Sequence, residues 1–233
     1  MRDFSALPAP VARYLRHVLP EDQPLIRRLY QSQRGELRTG PQGRRWLAFQ
    51  AEQVTNPMSV SYVWNARVQI LSIVHLGVRD AYAGGHASSH VKLLSKIPFG
   101  ADSGHSELDS GALHRYLAEA AWYPTALLPT DALRWTAIDH FRAQATLKDS
   151  GQSVALEFRF NGADEISGVY TPGRWEKFSG GYRQTPWEGH FHGYERKANM
   201  LVPSSAEVGW YHGGVWQRVW SGSVVESSYE LMQ

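Results

Sequence analysis

The feature that most constrains this chain is a long succession of segments with alternating apolar and polar residues, interrupted by one helical segment. Alternation with a period of two is typical of strands that bury one face. Segment 153–160 shows it most clearly, with Val154, Leu156, Phe158 and Phe160 on one face. The same pattern predicts strands at 25–37, 46–54, 60–70, 73–83, 87–97, 133–141, 142–147, 153–160, 166–175, 188–196, 206–212 and 216–229.

So many strands cannot form one flat sheet, because sheets of about ten strands curl, split or close. Turn sequences at 39–43, 161–162 and 212–214 favour hairpins between strands that follow each other in the chain. The sequence therefore predicts a mainly β protein of the α+β class, with one strongly curved antiparallel sheet. This half-barrel or open barrel would wrap around one or two helices. No linker or repeat divides residues 1–233, which predicts a single domain.

Two segments have helical periodicity instead. Residues 8–19 follow a Pro-Ala-Pro start with apolar side chains at positions i, i+3, i+4 and i+7, and Pro20 ends the pattern. Residues 111–123 are rich in alanine and leucine and precede Pro124, while Asp-Ser-Gly at 109–111 offers capping chemistry. We expect a short amino-terminal helix and a central helix packed on the concave face of the sheet.

The composition argues against several functional classes. Lys+Arg 24 against Asp+Glu 22 gives a net charge of only +2, which is no nucleic-acid signature. With no cysteine, disulfides, thiolate metal sites and a cysteine nucleophile are unavailable. The chain has neither a G-x-S-x-G motif nor a glycine-rich nucleotide loop, and we predict no cofactor.

The sequence also bears on location. Its first residues lack the apolar core of a signal peptide, and no stretch approaches the roughly 20 apolar residues of a membrane span. We therefore expect a cytoplasmic protein, although removal of a membrane anchor would leave the same sequence. The oligomeric state cannot be read from these residues.

Aromatic residues make up 12% of the chain, with 9 Trp, 11 Tyr and 8 Phe. Two interpretations stay open: the aromatic rings fill the core of the sheet, or several of them line a cavity for a lipophilic ligand. The candidates for ligand contact are Trp64, Tyr82, Trp122, Tyr123 and Trp135.

Segment 115–129, RYLAEAAWYPTALLP, places one acid and one guanidinium in an otherwise apolar helix. Arg115 and Glu119 are four residues apart, so they could form an exposed ion pair of about 0.5 kcal/mol. Alternatively, Glu119 faces a cavity and is a candidate general acid or base.

Two further carboxylates are candidates for the same chemistry. Arg67 and Asp80 lie on adjacent predicted strands, where they could face each other either as part of a site or as a cross-strand ion pair. Asp139 shares a predicted strand face with Trp135. The catalytic candidates are therefore Glu119, Asp80, Arg67 and Asp139.

His190 and His192 share one face of a predicted strand, a spacing that also occurs in zinc and iron sites. A metal would need a third ligand, and no motif specifies one. We predict no metal, and this pair is a weak alternative.

Segment 115–129 resembles the signature of an uncharacterised bacterial family of unknown function. Further matches are Leu-Pro-Ala-Pro-Val-Ala-Arg-Tyr at 7–14, Val-Trp-Asn-Ala-Arg at 63–67, Arg-Asp-Ala-Tyr-Ala-Gly at 79–84, Leu-Arg-Trp-Thr-Ala-Ile-Asp at 133–139 and Trp-Glu-Gly at 187–189. The resemblance implies a curved sheet of the lipoprotein-carrier type and no particular activity. One departure is Ala198-Asn199, where the resemblance implies a glycine in the turn.

Three functions remain open at this point. The first is binding of a lipophilic small molecule in the aromatic-lined concavity of the sheet. The second is a cofactor-free hydrolase, isomerase or cyclase that uses carboxylate acid/base chemistry in the same cavity. The third is a structural or interaction protein that recruits a partner through exposed sheet edges.

Overall fold

The computed structural model describes residues 3–38 and 45–232. Helices α1 and α2 span Ala9–Val18 and Ser106–Glu119, and short 3₁₀ turns lie at Pro57–Ser59, Ala120–Trp122 and Pro124–Leu127. The strands are β1 (Ile26–Arg38), β2 (Trp46–Asn56), β3 (Ser61–Leu71), β4 (Val74–Ala83), β5 (His86–Leu93), β6 (Ile97–Ser103), β7 (Leu133–Ala137), β8 (Arg142–Asp149), β9 (Gln152–Phe160), β10 (Ile166–Phe178), β11 (Gly181–Lys197), β12 (Met200–His212) and β13 (Val215–Leu231).

All thirteen strands form one antiparallel sheet in the order β6-β5-β4-β3-β2-β1-β13-β12-β11-β10-β9-β8-β7. Two meanders meet where the first strand pairs with the last, from Ile26 opposite Leu231 to Leu37 opposite Trp220. The sheet is curled into a half-barrel. The predicted fold class, a mainly β protein with one curved antiparallel sheet around two helices, is confirmed.

The predicted strand face on β9 lies in the core. Val154, Leu156, Phe158 and Phe160 are all buried. Helix α1 packs against β8 and β12, and it buries Tyr14 and Leu15 against this end of the sheet. Helix α2 packs against β9 and β10 on one side and β4 and β5 on the other, so it bridges the two halves of the curled sheet.

Helix α2 begins at Ser106, five residues before the predicted start at 111. The expected cap at 109–111 is wrong because Asp109 already lies in the first helical turn. Its carboxylate accepts a hydrogen bond from the backbone N–H of Ala87 at 2.6 Å, and so it holds the start of β5. The α-helix ends at Glu119, and a 3₁₀ turn continues it to Trp122.

Two strand predictions also need correction. Strand β6 was not predicted, because the predicted strand 87–97 ends at the first residue of β6. The predicted strand 133–141 ends at Ala137. Asp139 then accepts hydrogen bonds from the backbone N–H of Phe141 and from the side chain of Arg142, which form the turn into β8. The predicted turn at 39–43 lies outside the described residues.

Strand β6 contacts the far half of the sheet through one carboxylate. Asp102 accepts hydrogen bonds from Lys177 of β10 and from the hydroxyl of Tyr182 of β11. Burial acts to raise the pKa of Asp102, but these two hydrogen bonds outweigh it and lower the pKa below its ordinary value. The edge strand β6 is thereby held against the β10–β11 hairpin across the open side of the half-barrel.

The hairpin between β11 and β12 has the two residues that depart from the family pattern. Ala198 and Asn199 have φ values of 46° and 66°. Both lie in the left-handed region that two-residue hairpin turns require. Asparagine tolerates it, whereas alanine is strained there.

Neither described helix has the length and the apolar character needed to cross a bilayer.

Candidate ligand-binding site

The concave side of the sheet encloses a cavity of about 650 Å³. Its walls come from both halves of the sheet, and helix α2 contributes Arg115, Ala118 and Glu119. A volume of this size lies within the ~300–1,000 Å³ typical of small-molecule sites. Phe99 both lines the cavity and is 71% exposed, so the cavity meets solvent beside this residue of β6.

Most of the wall is apolar and aromatic. It includes Val68, Leu76, Val78, Val91, Val169, Phe191, Val208 and four of the nine tryptophans, Trp64, Trp122, Trp187 and Trp220. The indole N–H of Trp64 donates to Gln33 Oε1 at 3.0 Å, and that of Trp122 donates to the carbonyl oxygen of Pro203 at 3.0 Å. These two rings therefore present carbon surface in a fixed orientation.

The position of Trp220 depends on a glycine. Its ring stacks on Phe49 with 5.6 Å between centroids, and it lies so close to Gly222 that a Cβ there would come within 2.6 Å of the indole. The absence of a side chain at Gly222 thus lets a large ring lie flat along β13 and form part of the wall.

A polar network lies along the cavity wall beside helix α2. Arg115 Nε donates to Glu119 Oε1 at 2.7 Å, and the other guanidinium nitrogens reach Asp80 Oδ2 at 3.3 Å and Gln53 Oε1 at 3.2 Å. Gln53 Nε2 donates in turn to Glu119 Oε2 at 2.6 Å. The side chains of Arg115 and Glu119 are 21% and 14% exposed, so this ion pair is largely removed from bulk water.

Neighbouring charges and rings stabilise the cationic form of Arg115. Burial acts to lower its pKa, but the carboxylates of Glu119 and Asp80 outweigh this and raise the pKa above its ordinary value. The guanidinium also lies over the rings of Tyr62 and Trp64, at 4.9 and 5.1 Å from their centroids.

A second guanidinium, that of Arg174 on β10, lines the same cavity and a contiguous one of about 440 Å³. It lies between Trp187 and Trp210, at 4.7 and 5.3 Å from their ring centroids. Burial, its largest influence, lowers the pKa of Arg174 to about 10. In the described part of the chain, Arg174 has no carboxylate within salt-bridge distance.

Four of the residues predicted from sequence meet at this cavity, namely Asp80, Glu119, Trp64 and Trp122. The sequence left open whether Glu119 pairs with Arg115 or faces a cavity, and the structure shows both. Asp80 is paired with Arg115 rather than with Arg67. Whether these residues bind a ligand stays a prediction.

Arg67 and Asp139 are not part of this site. Arg67 lies opposite Gly77 in the sheet register, whereas Asp80 lies opposite Trp64. Because neighbouring positions on a strand alternate between faces, Arg67 lies on the outer face of β3, where it is exposed. Asp139 is exposed in the β7–β8 turn and pairs with Arg142 at 2.7 Å.

Three predicted ligand-contact residues, Tyr82, Tyr123 and Trp135, lie outside the cavity wall: the two tyrosines are buried in the core, and Trp135 packs against it. The hydroxyl of Tyr82 donates to Asp149 at 2.7 Å. That of Tyr123 donates to the carbonyl oxygen of Tyr116, and the indole of Trp135 donates to the carbonyl oxygen of Leu127 at 3.0 Å. The polar group of each ring therefore has its hydrogen-bond partner within the protein.

The histidine pair on β11 has other partners. His190 lies 2.7 Å from Glu188 and 3.5 Å from Glu207, and His192 is exposed. Among residues 3–38 and 45–232, no group of three potential ligands is arranged to hold a metal ion.

No sequence pattern indicated Gln53, Arg174, Trp187 or Trp220 as site residues. Gln53 and Trp220 are spaced as ordinary strand residues, and Arg174 follows a Pro-Gly pair that is typical of a turn. The apolar alternation within β2, β10, β11 and β13 indicates which positions face inward. It does not indicate that those faces leave a cavity.

Comparison with solved structures gives distant similarities, of which two are described here. One is to an outer membrane lipoprotein-sorting protein domain from Vibrio parahaemolyticus, with 8% identity, a TM-score of 0.49 and coverage of 87% of this chain and 85% of the other. The second is to a LolA superfamily protein from Nitrosomonas europaea, with 9% identity, a TM-score of 0.45 and coverage of 98% and 96%. These two descriptions match the lipoprotein-carrier resemblance noted from the sequence.

No curated protein matches the chain. One protein family does, and it is described as a family of unknown function, DUF6920. The match covers residues 5–229, which is nearly the whole chain, so the protein belongs to this family.

Proposed function

We propose that this protein binds a lipophilic small molecule inside its concave cavity. The observation that carries the proposal is the 650 Å³ volume walled by four tryptophans and a set of aliphatic side chains. Each methylene group moved from water into such surroundings contributes about 0.8 kcal/mol. A flexible hydrocarbon or a fused-ring molecule would gain the most from this wall.

The polar network at α2 supports a binding role over acid/base chemistry. Both oxygens of Glu119 accept hydrogen bonds, one from Arg115 and one from Gln53. This carboxylate is therefore held in one orientation by the protein's own donors rather than by a substrate. The network instead forms a rigid polar end in a cavity whose wall is otherwise mostly apolar.

Titration with an uncharged fluorescent probe, N-phenyl-1-naphthylamine, tests the proposal. Val91 on β5 lines the cavity, and its neighbour His90 is exposed on the other face of the same strand. The substitution Val91→Trp places an indole in the cavity and should weaken probe binding at least about tenfold, which corresponds to 1.4 kcal/mol. His90→Trp, the matched control, should change it less than about twofold.

A second filling variant, Ala206→Phe, approaches the cavity from β12 on the opposite wall and should act like Val91→Trp. Circular dichroism and thermal melts confirm that the variants fold. Failure of the native protein to take up the probe would reject the proposal. So would equal affinity in the native protein and in both folded filling variants.

A further inference from the structure

Charged groups are unequally distributed around the cavity. Three guanidinium groups line it, those of Arg38, Arg115 and Arg174. Only two carboxylates, those of Asp80 and Glu119, do so. The described wall therefore has one more positive than negative charge, within surroundings that are otherwise apolar.

Each oxygen of the two carboxylates accepts a hydrogen bond from a protein donor. Glu119 accepts from Arg115 and Gln53, as described above. Asp80 Oδ2 accepts from Arg115, and its Oδ1 accepts from the hydroxyl of Ser89 at 2.7 Å. Each of the four oxygens has a protein donor, so the negative charge of this cluster is largely compensated within the protein.

Arg174, in contrast to Arg115, has N–H donors that no described residue accepts. Its Nε and one terminal nitrogen both donate to the carbonyl oxygen of Gly111, at 3.2 and 2.9 Å. A guanidinium has five N–H donors, and among the described residues the other three have no acceptor. The contrast with Arg115 is clear in the pKa values, since carboxylates raise that of Arg115 while burial lowers that of Arg174.

The surroundings of Arg174 hold its guanidinium in place. Trp187 and Trp210 lie on it, and the carbonyl of Gly111 in α2 fixes one edge. The indole N–H of Trp187 is itself buried without an acceptor in the described structure. A positioned cation with spare donors beside an apolar cavity is the arrangement that recognises an anionic oxygen group.

We propose that the ligand of this cavity is an anionic amphiphile whose carboxylate or phosphate head group binds Arg174 while its hydrocarbon part lies against the tryptophan wall. The inference rests on the proposed function, and it adds the chemical class of the ligand. Arg174 supplies the charge-assisted hydrogen bonds, and Arg38, whose Nε is also buried without a partner among the described residues, adds to the positive potential.

The experiment is competition against bound N-phenyl-1-naphthylamine at a pH near neutral. Three competitors share one chain length: dodecanoate, dodecyl phosphate and the uncharged dodecanamide. The native protein should prefer an anionic competitor over the amide by about tenfold or more, because a charge-assisted hydrogen bond in a poorly solvated site is lost with the amide. Whichever of the two anions binds more tightly identifies the head group.

The variants are Arg174→Gln and, as a matched control, Arg134→Gln at an exposed arginine of β7. Arg174→Gln should reduce the anion preference to about twofold or less while binding of the neutral probe persists. Arg134→Gln should keep the native preference.

A native protein that binds the probe but competes equally with anion and amide would overturn the inference and leave lipophilic binding intact. A preference that survives in Arg174→Gln would overturn the assignment to this residue. If the native protein binds neither probe nor competitor, the proposed function itself fails. The comparison in the native protein needs no variant, so it decides the charge preference even if Arg174→Gln does not fold.

Discussion

Arg115 and Arg174 line one cavity, but their neighbours give them different properties. The pairing of Arg115 with Glu119 was an open alternative from sequence, because i, i+4 spacing on a helix is visible in a sequence. The contacts of Arg174 come from Gly111, Trp187 and Trp210, which are distant in the chain. Two tertiary features bring these three contacts to Arg174: α2 packs against β10, and β11 pairs with β12 so that Trp187 lies opposite Trp210. No sequence pattern could therefore indicate this site.

The substitution Ala198→Gly should stabilise the protein by about 0.5–1 kcal/mol. Ala198 has a positive φ of 46° in the β11–β12 turn, and relief of that strain exceeds the entropy that glycine adds to the unfolded chain. Urea unfolding measures the difference, with Ala163→Gly in the exposed β9–β10 turn as the control. A loss of stability in Ala198→Gly would contradict the described turn.

His114 should make stability depend on pH below neutrality. It is buried on α2, with Nδ1 2.9 Å from the carbonyl oxygen of Ser110. Burial, together with the charge of Arg174, lowers the pKa of His114 from 6.5 to about 4. Between these values the unfolded chain takes up a proton that the folded protein does not, so the free energy of unfolding falls as the pH falls, by up to about 3 kcal/mol.

Thermal melts from pH 7 to pH 4 test this for the native protein, His114→Gln and His90→Gln. His114→Gln should show a shallower loss of stability over this range than the native protein, whereas His90→Gln should retain the native slope because His90 is exposed. Identical slopes in all three proteins would show that His114 does not remain neutral in the folded state.

At the scale of elements, alternation in the sequence predicted most strands of the sheet because one face of each strand is buried. Strand β6 lacks that signal: six of its seven residues are exposed, and it contains Pro98 and Gly100. It is held instead by pairing with β5 and by Asp102. The start of α2 also depends on a tertiary contact. Asp109 accepts a hydrogen bond from the backbone of β5 and does not cap the helix, so its position in the sequence indicated the wrong start.

The contact of β6 with the β10–β11 hairpin should slow ligand exchange. Asp102→Asn removes the charge that Lys177 and Tyr182 hold, and it should lower the free energy of unfolding by about 1 kcal/mol or less, because Lys177 is half exposed. Stopped-flow displacement should show faster release of N-phenyl-1-naphthylamine from this variant, and release from Asp131→Asn at an exposed position should match the native protein.

The same contact has a defined pH range. Because the pKa of Asp102 is lowered in the folded state, the contribution of this contact to the free energy of unfolding is complete above about pH 4 and is lost as the pH falls through the lowered value.

The release experiment is measured near neutral pH, where the contact is intact. Release of the probe from Asp102→Asn at the native rate would show that this contact does not restrict the opening of the cavity.

At the scale of the whole molecule, the cavity follows from the curl of a thirteen-stranded sheet and from the position of α2. The helix bridges β4 and β5 to β9 and β10, so it fills part of the concave side and leaves the part bounded by β1, β12 and β13 open. The number of aromatic residues indicated a large apolar interior. Which rings line the cavity was predicted only in part: Trp64 and Trp122 do, whereas Tyr82, Tyr123 and Trp135 lie outside its wall and each donates a hydrogen bond elsewhere in the protein.

The most direct test of lipophilic binding is a crystal structure of the protein with a brominated chain, 12-bromododecan-1-ol, in which anomalous scattering locates the bromine. We expect the bromine signal inside the cavity, among Trp64, Trp122 and Trp220, which form its apolar wall. A signal confined to the outer face of the sheet, or an interior filled by side chains with no bromine at saturating concentration, would contradict the account.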